Sequence, residues 1–77
     1  MNKQGRSRIS EMMSRIEGIK SEVEDILDEE QEKFDNLPEG LQQTEKAQQM
    51  EESISELENA VNSLDEAFNS LDNAMSQ

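Results

Sequence analysis

A seven-residue unit is written three times in succession in this chain: Ile54-Ser-Glu-Leu57-Glu-Asn-Ala60, Val61-Asn-Ser-Leu64-Asp-Glu-Ala67 and Phe68-Asn-Ser-Leu71-Asp-Asn-Ala74. Ala47 and Met50 precede the repeat in phase and Met75 follows it, so apolar residues stand at 47, 50, 54, 57, 61, 64, 68, 71 and 75. Alternating steps of three and four keep one stripe of a helix against a partner, whereas a strand would need a period of two. The flanks of the stripe differ. Ser53, Ala60, Ala67 and Ala74 form a small-residue column on one side, and Glu51, Glu58, Asp65 and Asp72 form an acidic column on the other.

A second stripe lies upstream, with Ile9, Met12, Ile16, Ile19, Val23 and Ile26 in the same three-four rhythm. Met13, Leu27 and Phe34 widen it, and it decays at Glu30. With Met1–Gly5 polar and Ser7 a suitable cap, the first helix is expected over about 8–35. Gly18 falls inside it and off the stripe.

Between the stripes runs Phe34-Asp-Asn-Leu-Pro-Glu-Gly-Leu41. Asn36 with Glu39 three residues later has the form of a capping arrangement, and Pro38 suits a first turn. The expectation is a corner over 36–43 containing a short helical turn at 37–42. A second helix capped by Thr44 then covers about 44–75. Two long helices joined by a short connection fold back as an antiparallel hairpin, giving a single all-α domain over 1–77. The breadth of the stripes predicts that hairpins associate into a four-helix bundle or higher oligomer, with Ile54, Leu57, Val61, Leu64, Phe68 and Leu71 as the seam.

Charge supports the antiparallel arrangement. Residues 1–20 carry five bases (Lys3, Arg6, Arg8, Arg15, Lys20) against two acids (Glu11, Glu17), a net of +3. Residues 21–77 carry Lys33 and Lys46 against 17 acids, a net of −15. Folding back sets the basic start beside Asp65, Glu66 and Asp72. It leaves the connecting end strongly negative.

The residue inventory narrows the chemistry. The chain has no Cys, His, Tyr or Trp, so the usual nucleophile–base pairs and histidine metal sites cannot be assembled. The acidic run Asp28–Glu32 lacks the glycine and alternation of a calcium loop. An enzyme, a cofactor and a bound metal are therefore not expected. No membrane span and no signal peptide are read in the sequence. A net charge of −12 opposes direct binding of duplex DNA, although regularly spaced carboxylates can imitate it in a basic groove.

The stretch Asp28-Glu-Glu-Gln-Glu-Lys-Phe-Asp-Asn-Leu-Pro-Glu-Gly-Leu-Gln42, followed by Met50-Glu-Glu and Leu57-Glu-Asn-Ala60, resembles small acidic helical-hairpin proteins of bacteriophages and prophages. Their recurring feature is an Asp-Asn-x-Pro-Glu-x-Leu-Gln corner after a glutamate-rich helix end. The resemblance spans about residues 22–74. It implies a helical hairpin of phage origin and no particular site residues.

Three functional expectations follow. The first is an accessory protein in the host cytoplasm that inhibits a host protein, one of anti-phage defence, through Glu29, Glu30, Glu32, Asp35 and Glu39. The second is an oligomeric sponge for a nucleotide second messenger, with Arg6, Arg8 and Arg15 gripping phosphates. The third is a structural coiled-coil part of an assembly.

Overall fold

The structure is a computed structural model that describes all 77 residues. It contains two long helices, α1 (Lys3–Asp35) and α2 (Glu45–Met75), joined by a corner holding one 3-10 turn at Glu39–Leu41. The helices pack against each other as a hairpin, a rod with principal extents of 58 × 15 × 12 Å.

Helix α1 starts at Lys3 rather than near residue 8, and its cap is Asn2 rather than Ser7. The Asn2 side chain accepts a 2.7 Å hydrogen bond from the Gly5 N–H. An asparagine caps at least as well as a serine, and nothing between residues 3 and 8 breaks a helix at its first turn. Asn36 also takes a different role from the one its spacing suggests. It closes α1, its N–H donating to Glu32 O, and it caps nothing downstream. The 3-10 turn opens at Pro38 without any side-chain cap. Thr44 does cap α2: its hydroxyl accepts from the Ala47 N–H at 3.3 Å and donates to Leu41 O at 2.7 Å. Gln42 steadies the corner by donating to Leu37 O at 3.1 Å.

The apolar stripe of α2, expected as a seam between hairpins, faces α1 within the hairpin. Ala47 and Ile54 are buried, and Leu57, Val61, Leu64, Phe68 and Leu71 are half-buried. The stripe of α1 is displaced from the one expected. Its inward columns are Ile9, Ile16, Val23, Glu30 and Met13, Lys20, Leu27, Phe34, all buried or half-buried. Met12, Ile19 and Ile26 remain 42%, 50% and 47% exposed. The hairpin therefore accepts Lys20 and Glu30 in its seam and leaves three large apolar side chains outside it. The reason is geometric. Helix α1 carries three adjacent apolar columns, and a single partner helix covers only two of them.

Only Ile9, Met13, Ala47 and Ile54 are buried in the whole chain. Such a thin core is less than small domains normally need to stand alone.

Candidate functional site

The position of Lys20 sorts the hairpin into two faces. Its Nζ lies 2.6 Å from Asp65 Oδ1, the one ion pair that joins the helices. Glu17 and Glu24, one turn away on either side along α1, also act on Lys20, so they share its flank. Asp65 belongs to the column Glu51, Glu58, Asp65, Asp72 of α2. The acidic flanks of both helices thus lie on the same side of the rod, with Lys20 as the base among them. Its ammonium pKa is raised above the ordinary 10.5, first by the hydrogen bond to Asp65; desolvation opposes this, and the charges of Asp65, Glu24 and Glu17 add to the rise.

The opposite side has a different character. There α1 presents the column Gly5, Met12, Ile19, Ile26, Lys33, and α2 presents Ser53, Ala60, Ala67, Ala74. Ala60 and Ala74 are half-buried and Ala67 is exposed. One side is therefore carboxylate, and the other is aliphatic with a small-residue edge. Helical spacing shows each column separately, but only the interhelical pair shows which columns share a side.

At the corner, Glu29, Glu32, Asp35 and Glu39 are exposed. Glu30 is not part of that set, because it turns half-buried into the seam and meets Lys33 Nζ at 3.2 Å. Asp35 accepts a 3.0 Å hydrogen bond from the Gln31 amide. Glu29, Glu32, Lys33 and Asn36 outline a shallow hollow open to solvent. A second hollow at this end, of about 310 Å³, is apolar and lined by Leu37, Leu41, Ala47 and Met50 with Thr44 and Lys46.

The three arginines do not converge. Arg8 and Arg15 share one column of α1, about 10 Å apart along the axis, and Arg6 stands on another side of the helix. Arg15 is already paired with Glu11 at 2.7 Å, both side chains largely exposed. None of the three lines a hollow. No group of three or more acidic side chains is arranged to hold a metal ion. No helix is long and apolar enough to cross a membrane.

Comparison with known proteins finds no matching family model, curated protein or solved structure.

Proposed function

We propose that this chain is a non-enzymatic accessory protein that binds and inhibits another protein through its acidic surface. Two or more hairpins associate, as a four-helix bundle or higher oligomer, to present that surface. The observation that carries the reading is the surplus of unpaired carboxylate at one end of the rod. Glu29, Glu32 and Glu39 have no ion-pair partner: Lys33 is paired with Glu30, and Lys46 pairs with none of them. A rigid, negatively charged helical end fits a partner whose surface is basic, such as one built to hold nucleic acid. The resemblance to phage hairpins makes that partner a host protein, met in the host cytoplasm, and defence proteins are the natural class.

Capture from a host lysate on the immobilised chain, followed by a salt titration, tests this. The expected result is one basic protein retained at low salt and released as salt rises. The variant Glu32→Gln/Asp35→Asn/Glu39→Gln is expected to retain none of it. A partner held equally at high salt, or by the variant neutralised at the tip, overturns the acidic-surface reading. The scattered arginines offer the nucleotide-sponge alternative no comparable observation.

A further inference from the structure

The three large apolar side chains of the exposed column of α1 are placed symmetrically about the middle of the helix. Met12, Ile19 and Ile26 are spaced by seven, and Ile19 sits at the midpoint of α1 (Lys3–Asp35). The adjacent column, further from α2, is Arg8, Arg15, Glu22, Glu29. It changes sign on either side of the same midpoint. If a second α1 is laid antiparallel across the first, with a two-fold axis passing beside Ile19, apolar side chains meet apolar ones. Met12 faces the partner subunit's Ile26, and Ile19 faces its own copy. Arg8 then lies opposite the partner subunit's Glu29, and Arg15 opposite the partner subunit's Glu22. A two-fold interface requires this kind of self-complementarity.

The geometry points to a second copy of this chain as the occupant of the apolar side, packed back to back, α1 on α1, antiparallel about Ile19. The inference rests on the association proposed above and adds its face and orientation.

The competing back-to-back arrangement sets α1 over the partner subunit's α2. In the register fixed by Lys20 and Asp65, that places Arg15 near Ser70 and Glu29 near Glu56. It forms no ion pair and brings both acidic tips to one end. The α1-on-α1 arrangement instead sends the tips to opposite ends, separating the most negative regions, and sets the alanine column of α2 against its own copy. Arg15 exchanges its exposed bond to Glu11 for one to the partner subunit's Glu22 at little cost. The acidic sides of both hairpins face outward, available to other proteins.

The chain has no cysteine, so single replacements report proximity cleanly. Ile19→Cys under mild oxidation is expected to cross-link to itself, since a disulfide forms only where Cα atoms approach within about 7 Å. Met12→Cys is expected to cross-link with Ile26→Cys in a mixed sample and not with itself. Sedimentation equilibrium of the wild type is expected to show a dimer or a multiple of it. Arg15→Glu is expected to weaken that association about tenfold, and Arg15→Glu/Glu22→Arg to restore it. An assembly in which Ile19→Cys cross-links only with Ala67→Cys overturns the orientation and leaves association standing. A folded wild-type chain that sediments as a monomer overturns association, and this inference with it.

Discussion

Lys20 Nζ stands 2.6 Å from Asp65 Oδ1, linking the middle of α1 to α2 from a position where the heptad would hold an aliphatic side chain. A base in the seam is a cost to packing, and it fixes which residues of the two helices come level. It places Ile16 level with Phe68, and both line the small hollow beside the ion pair. Lys20→Leu is expected to raise the midpoint of thermal unfolding, because a leucine fills the seam. Asp65→Ala is expected to lower it, because the ammonium is left among half-buried neighbours without its partner. Circular dichroism melts of the two variants check both signs.

The same pair sets an alkaline limit. Lys20 holds its proton more tightly folded than unfolded, chiefly through the hydrogen bond to Asp65. A raised folded pKa contributes stability that is whole below the unfolded value and is lost as pH rises through the folded one. The thermal midpoint is therefore expected to show no loss from this group below 10.5 and to fall above it. The comparison that checks the cause is Asp65→Ala, in which the alkaline fall is expected to shrink.

Much of this arrangement is legible in the sequence, and the exceptions have physical causes. The heptads of α2 place its inward stripe correctly because they leave just two strongly apolar columns, with alanine beside them. In α1, by contrast, Met12, Ile19 and Ile26 look as suitable for the seam as Met13, Lys20 and Leu27, and more so at the middle position. The decision belongs to α2 and to Asp65, far away in sequence. Asn36 is ambiguous in sequence for a similar reason: asparagine serves at either end of a helix, and the corner decides which end it closes. At the tip, Glu30 reads like its neighbours Glu29 and Glu32. Its seam position sets it apart once the correct columns are known.

The helix ends make a separate test. Thr44 both accepts from Ala47 and donates to Leu41, so it holds the corner to α2. Thr44→Ala is expected to cost about 1–2 kcal/mol and Asn2→Ala about 1 kcal/mol. Ser7→Ala, inside α1 and exposed, is expected to change stability by less than about 0.5 kcal/mol. Urea unfolding of the three variants, at one protein concentration, ranks them.

Gly18 stands within the continuous α1 without structural need. A Cβ built there meets nothing within 4 Å, and the backbone φ is negative. Gly18→Ala is expected to stabilise the chain by about 1 kcal/mol, mainly through the entropy of the unfolded backbone. It lies away from the Met12, Ile19, Ile26 column, so the sedimentation behaviour is expected to stay as in the wild type.

Salt separates self-repulsion from recognition. Residues 21–77 hold 17 acids against Lys33 and Lys46, and folding gathers the columns through Glu17 and Glu24 and through Glu51, Glu58, Asp65 and Asp72 onto one side. Repulsion among them opposes the compact state, with Lys20 offsetting only part of it. Raising ionic strength shortens the screening length to about 10 Å at 0.1 M and about 3 Å at 1 M. The hairpin's thermal midpoint is therefore expected to rise with salt, and its hold on a basic partner to weaken over the same range. Melts and binding assays in one salt series check the two signs together. A midpoint that falls with salt would mean that favourable pairs such as Lys20–Asp65 outweigh the crowding of carboxylates, and that the acidic side is a balanced surface rather than a charged one.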